Sequence, residues 1–314
     1  MTDATLNATL ELLRAGKKIP ANALAGADLR GVDLSNVRLQ NLDLRGARLD
    51  GANLTRTTWS ACHLNEVRFD KAVLSRASFT ACQGRGLSLR SSQADWVRMK
   101  QCAWEDGDFQ QVNLTRLSAS GVTFVGCRLQ GSTLFQSRLS ECDLSDLDLR
   151  GVAWAQCHFP DSRLRGTRFT GATLTQCTFN RVDASNADFS GAQAPAASFY
   201  AAQLAGARFE AALLDRAIFD QARLDKTNFA RASLNGARLY GVRSLGVTFT
   251  GGKLVRADLS HLQATHADFS HADLTGALLH AVQLPDASWH QTVLADVRRD
   301  DPELRAAELW RPPV

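Results

Sequence analysis

From Leu24 to Leu294 the chain repeats every five residues without losing step. Of the 55 positions reached by counting in fives from Leu24, 48 hold Leu, Phe, Trp or Met. The residue two places before each is small or aliphatic in 54 of 55 cases, Asn22 being the exception. A helix returns an apolar face every 3.6 residues and a strand every two, so neither alone explains a period of five. A strict period held this long predicts a solenoid whose coils present the same corners to a common axis.

The phase of each residue type supports this. With the Leu/Phe position taken as the centre, 14 of the 15 Phe are centres and all seven Cys lie two places before one. Eighteen of the 22 Gly lie two places after a centre, where a tight turn calls for left-handed backbone. Segments such as Ala27-Asp28-Leu29-Arg30-Gly31 and Ala52-Asn53-Leu54-Thr55-Arg56 carry an A(D/N)LxG-like signature. In these segments the chain resembles the pentapeptide-repeat family. The resemblance implies an all-β solenoid, a right-handed quadrilateral (four-sided) β-helix.

The residues give their own reason for four sides. From Phe159 to Phe229 every tenth residue is Phe, with Leu or Ala at the centres between. Large and smaller residues then alternate from face to face, which closes consistently only on an even number of faces. Four faces and a twenty-residue coil place Phe on two opposite walls and give about 13–14 coils. Ala184 and Ala194 share a coil with Phe189 and Phe199, the volume compensation that a close-packed interior requires.

One unbroken repeat argues for a single elongated body with short helices at its ends. Residues 1–20 are expected to form an N-terminal helical cap, with Leu6, Leu10 and Leu13 on one face and Gly16 closing the helix. Residues 21–294 are the β-helix. The register fails after Leu294, because Arg299 falls on a centre. Residues 295–314 are then a C-terminal helix and tail, begun by Asp301-Pro302 and followed by Pro312-Pro313. Leu304, Leu309 and Trp310 are its candidate contacts, either capping the last coil or, as the resemblance implies, joining a homodimer.

The N-terminus lacks a basic region followed by an apolar stretch, and no apolar run reaches about 18 residues. Neither a secretory leader nor a membrane span is expected, and the cytoplasm is the expected location. Cys62, Cys82, Cys102 and Cys142 fall on one inward column, Cys157 and Cys177 on another, and Cys127 on a third. Their parallel inward direction suits reduced thiols used for packing.

Function must lie on the outward positions. No nucleophile, base and orienting group recur there at contact spacing, and no Gly-rich phosphate loop leads into a helix. The reading is a chain without catalytic residues, cofactor-binding residues or cofactors. All seven His are at outward phases, with His261 over His280 and His271 over His290 in adjacent coils. Two imidazoles make an incomplete metal site, so these pairs are expected to form a surface polar ladder and no metal ligand is assigned. Asp108, Arg128, Asp148, Arg168, Asp188 and Arg208 are spaced by twenty and should stack as an alternating charge ladder.

A second outward column holds Arg56, Arg76, Trp96 and Arg116, then Gln136, and later Arg216 and Arg256. Phe135, the one Phe off the inward register, projects from the same face. Exposed aromatics with Arg are the material of interface hot spots, and Trp96 can stack with Arg76 or Arg116. These residues are the candidate partner surface. A second reading stays open: Gly84 and Ala94 are poor core residues, so 83–104 could be distorted and Trp96 turned inward.

The resemblance implies two further roles. Some family members protect DNA gyrase or related topoisomerases by mimicking duplex DNA, and others are accessory proteins or effectors of secretion systems. Mimicry needs a dense acidic surface, whereas here 36 Lys+Arg face 32 Asp+Glu for a net charge of +4. Mixed charge and few exposed aromatics also make nucleic acid an unexpected partner. The leading expectation is a non-enzymatic scaffold or adaptor that binds another protein through one outward face.

Overall fold

The computed structural model describes residues 3–300 and 302–310, apart from the side chains of Asp3 and Leu304. The chain is a β-solenoid of about 13 turns with a short helix near each terminus. It divides into two compact units, Met1–Arg168 and Phe169–Val314.

In the first unit, three-residue strands build parallel sheets whose partners are twenty residues apart. One sheet runs Arg38–Gln40, Thr58–Ser60, Ser78–Thr80, Arg98–Lys100, Ser118–Ser120 and Arg138–Ser140. Another holds Gln83–Arg85, Ala103–Glu105 and Thr123–Val125, and Thr133–Phe135 pairs with Ala153–Ala155. Elsewhere the twenty-residue pairing continues as single bridges, such as Asp28 with Arg48 and Arg48 with Arg68. Each coil is therefore four five-residue sides.

Every side has the same logic. Through most of the coils the centre and the residue two before it point inward and are buried, as Ala52 and Leu54 are. The residue between them feeds the ladder: the Leu29 N–H donates to the Arg48 carbonyl (2.7 Å), and the Arg48 N–H returns to the Ala27 carbonyl (2.9 Å). The residue two after the centre turns the corner with φ near +60°, whether it is Gly31 (φ 63°) or Arg56 (φ 57°). At many corners the centre's carbonyl accepts the N–H three residues on, as Leu24 does from Ala27 (3.1 Å). A positive φ at the third turn residue is the type II arrangement, which is why Gly gathers at this phase.

The (D/N) of the repeat has a physical role of its own. Asp33 accepts the Ser35 N–H (2.8 Å) and Asn113 accepts that of Thr115 (3.1 Å), so this side chain holds the chain entering the corner. At some inward positions where Ser or Thr replaces Ala, the hydroxyl donates to a core-lining carbonyl, as Thr57 does to Leu54 (2.7 Å) and Ser137 to Leu114 (3.0 Å).

Residues 83–104 are regular coils, not a distorted loop. Gly84 pairs with Trp104 in register. A Cβ on Gly84 would stand 2.8 Å from Leu87 Cδ2 and 3.1 Å from the Leu64 carbonyl oxygen. Its neighbours fill the space that its missing side chain leaves, and Ala94 is fully buried.

The helix α1, Asp3–Arg14, opens this unit. Leu10 and Leu13 are buried and Leu6 is half-buried. Gly16 (φ 69°) ends the helix and donates to the Leu13 carbonyl (2.9 Å). Arg14 donates to the Asp33 carbonyl (3.0 Å), tying α1 to the first coil, whose centres Leu24, Leu29, Leu34 and Leu39 are fully buried.

The second unit holds the phenylalanine columns. Phe169, Phe189, Phe209, Phe229, Phe249 and Phe269 stack in order with centroids 4.8–5.3 Å apart, and Trp289 extends the stack at 4.6 Å. Phe179, Phe199 and Phe219 form the opposite column, and the two columns meet edge to face, as Phe209 meets Phe219 at 5.7 Å. Both arrangements suit the ring quadrupole. The backbone register outlasts the apolar one: Arg298–Arg299 pairs with Leu278–Leu279, although Arg299 stays exposed at a centre phase. The helix α2, Pro302–Leu309, follows.

Candidate functional site

In the first unit the corners Arg56, Arg76, Trp96 and Arg116 stack one coil above another. Each corner N–H donates to the residue before the next corner, from Arg56 to Ser75 (3.0 Å) through Arg116 to Phe135 (2.8 Å). Trp96 does not turn inward. Its φ is 59°, it is 47% exposed, and the Arg116 guanidinium carbon lies 4.6 Å from its ring centroid. Arg76, Trp96 and Arg98 line a concavity of about 280 Å³. Phe135 is 38% exposed at the next coil. The column then continues by amides: Arg116 Nε donates to Gln136 Oε1 (3.3 Å), and Gln136 Nε2 to Gln156 Oε1 (3.1 Å). Gln156 belongs to this strip and sequence reasoning missed it, although its spacing of twenty from Gln136 marks it.

Charge is distributed unevenly between columns. Arg128 pairs with Asp108 (3.1 Å), Arg168 with Asp148 (3.1 Å) and Arg163 with Asp143 (3.0 Å), each one coil apart. The expected ladder thus forms rungs in the first unit. In the second, Arg208 bridges by backbone to Asp188 while its guanidinium takes Glu210 (3.4 Å). Among the described residues Arg56, Arg76 and Arg116 have no carboxylate partner, so the Trp96 column keeps its positive charge available. Arg216 and Arg256 hold the same phase in the second unit, as left-handed corners with φ 60° and 57°.

The histidines depart from the expected surface ladder. The His261 and His280 rings lie 5.5 Å apart, and His271 and His290 5.3 Å apart. His280, however, is 0% exposed despite its outward phase. α2 lies against this face. Glu308 Oε1 is 2.8 Å from His261 Nε2, and Oε2 is 3.4 Å from His280 Nε2. His280 Nδ1 faces Asp300 Oδ1 at 3.8 Å, and Asp300 also accepts the Ala281 N–H (3.1 Å). Hydrogen bonds from His261 and then His280 hold the Glu308 carboxyl below its ordinary range.

The last coil is open. Val282, Leu284, Trp289 and Leu294 are only half-buried and, with Leu279, Arg299 and Asp300, line a concavity of about 570 Å³. Leu309 is 74% exposed and Trp310 68%, so neither caps this end. The side chain of Leu304 and residues Pro312-Pro313 lie outside the described residues.

All seven cysteines are buried. Burial pushes the Cys127 thiol up to about 12 and Cys142 up to about 11. Contact with the Cys82 thiol, then burial, raises Cys62 as well. Thiols held this high are packing groups rather than nucleophiles.

Known proteins share this repeat. The pentapeptide repeat region family matches residues 52–134 and 132–209, and pentapeptide repeats (8 copies) match 23–56, 202–241 and 246–280. The chain belongs to the pentapeptide-repeat family. Among solved structures it is similar to a trypsin-treated variant of QnrB1, a plasmid-mediated fluoroquinolone resistance protein, at 22% identity and a TM-score of 0.47 over 64% of this chain and 99% of that one. It is also similar to HetL of the cyanobacterium Nostoc, involved in heterocyst differentiation regulation, at 20% identity and a TM-score of 0.22 over 92% and 94%. No curated protein matches the chain. Among the described residues no helix is long and apolar enough to cross a membrane.

Proposed function

We propose that this pentapeptide-repeat protein is a non-enzymatic scaffold or adaptor that binds an acidic face of another protein through the column Arg56, Arg76, Trp96 and Arg116, with Phe135 beside it. The observation that carries this reading is Trp96 itself: a half-exposed indole at a corner, stacked by Arg116 and adjoining a concavity shared with Arg76 and Arg98. The fold makes no use of this side chain, and fold economy does not place a large aromatic in left-handed backbone. Unpaired guanidinium groups around an aromatic anchor match the composition of binding hot spots.

Duplex mimicry is disfavoured by the same electrostatics. Many carboxylates sit between Arg side chains of their own and neighbouring coils, as Asp148 does between Arg150 and Arg168. Such a surface does not present a continuous row of negative charge.

The test is affinity capture with wild type, Trp96→Gly, Arg116→Ala and a control on another face, Val125→Ser. A partner retained by wild type and Val125→Ser but lost by the other two supports the column as the binding face. Identical partners for all four proteins would remove it. Capture that is abolished by nuclease treatment would instead indicate nucleic acid.

A further inference from the structure

We propose that His261, His280 and Glu308 form a three-ligand site for a divalent transition-metal ion of the zinc class, which fastens α2 to the last coils. The three groups come from two adjacent coils and from α2, 47 and 28 residues away along the chain. One ligand atom from each lies within 4.8 Å of the others. Both imidazoles turn Nε2 toward the same carboxylate, one oxygen each, so the set converges on a single point.

The donor chemistry fits. Two imidazole nitrogens and one carboxylate oxygen suit zinc and its neighbours, and a fourth position stays open for water or a partner's side chain. Ligand bonds of about 2.0–2.2 Å place donor atoms a little over 3 Å apart, so small side-chain rotations would close the set around an ion. Asp300 stands where an outer-shell partner of a metal-bound histidine belongs, facing Nδ1 of His280. Its own hydrogen bond from the Ala281 N–H keeps it there. Tyr240 packs edge-on against His261 at 5.0 Å and limits that ring's rotation. The Ser260 hydroxyl, buried directly before His261, has no hydrogen-bond partner among the described residues.

The other histidines make a useful contrast. His271 and His290 face one another at 5.3 Å, and His266 meets Asp286 at 3.9 Å. Only the first cluster gathers three donor residues among those described.

Zinc titration calorimetry on the untagged full chain tests the site, with cobalt(II) absorption as a second readout. One equivalent should bind, and cobalt should give the visible bands of a low-coordinate nitrogen–oxygen site. Glu308→Gln, on the exposed helix, and His261→Gly, at a corner that accepts glycine, should each weaken binding at least about tenfold. His271→Gly should leave binding unchanged. Zinc should also slow trypsin cleavage at Arg305 in wild type and not in Glu308→Gln. Absence of saturable binding, or binding indifferent to Glu308→Gln and His261→Gly, would overturn the assignment.

Discussion

At the scale of single residues, the corner position decides what a substitution does. A left-handed φ costs an ordinary L-residue about 1–2 kcal/mol, and glycine escapes that cost. Trp96→Gly therefore removes the indole and its contact with Arg116 while relieving the backbone. Its thermal stability should stay within about 1 kcal/mol of wild type, so lost partner binding cannot be blamed on unfolding. The residue before each centre offers a different lever. Hydrogen bonds from Arg30 hold the Asp28 carboxyl well below its ordinary value of 3.8, to about 2. Hydrogen bonds from Thr275 hold Asp273 down as well. A carboxyl whose folded pKa is depressed adds stability that is present above the unfolded pKa and lost as pH falls through the folded one. Acid unfolding should accordingly set in as pH drops from about 4 toward 2. Asn228 fills this position as a neutral acceptor for the Ala230 N–H (2.8 Å). Asp273→Asn should likewise keep the turn and flatten the pH dependence of melting temperature between pH 5 and pH 2, roughly; an unchanged slope would contradict this account of the turn.

At the scale of elements, the two helices behave differently although both lie outside the repeat. α1 is a cap in the ordinary sense, with Leu10 and Leu13 buried and Arg14 held by Asp33. Leu10→Ala should cost about 2–5 kcal/mol at that contact. Because coils contact mainly their neighbours, the loss should show first as faster amide exchange from Leu24 to Leu54, with the amides of the second unit unaffected. Uniform acceleration along the chain would contradict it. The sequence made the coils and the Phe columns legible, since one period of five fixes which side chains share a wall. It also exposed the Trp96 column, because corners twenty apart must stack. It left Gly84 open between a regular coil and a distorted one, because the approach of Leu87 to the missing side chain's place is a compensation that spacing alone does not reveal. It could not bring Glu308 to His261 and His280. Beyond Leu294 the period stops, and packing rather than register decides where α2 lies.

For the molecule as a whole, the asymmetry of the solenoid's two ends matters more than the overall charge. The first coil is closed over by α1, and its four centres are fully buried. The final coil leaves Val282, Leu284, Trp289 and Leu294 half-buried, while Leu309 and Trp310 stand exposed nearby in sequence. An unpaired coil end presents both apolar core and free strand groups, the combination that β-proteins ordinarily cover. A second copy of the chain can supply what is lacking, because its own open end carries the same apolar set and a two-fold contact is self-complementary. Sedimentation velocity across a range of concentrations should then show a reversible monomer–dimer equilibrium. Trp310→Ala alters an exposed side chain outside the coils, so it should leave the melting temperature of the dilute monomer unchanged. It should still weaken the dimer about tenfold or more if Trp310 is an anchor of that contact. A chain that stays monomeric at every concentration would mean that the open end is filled by something other than a second copy. A dimer indifferent to Trp310→Ala would place its contact away from the segment after Leu294.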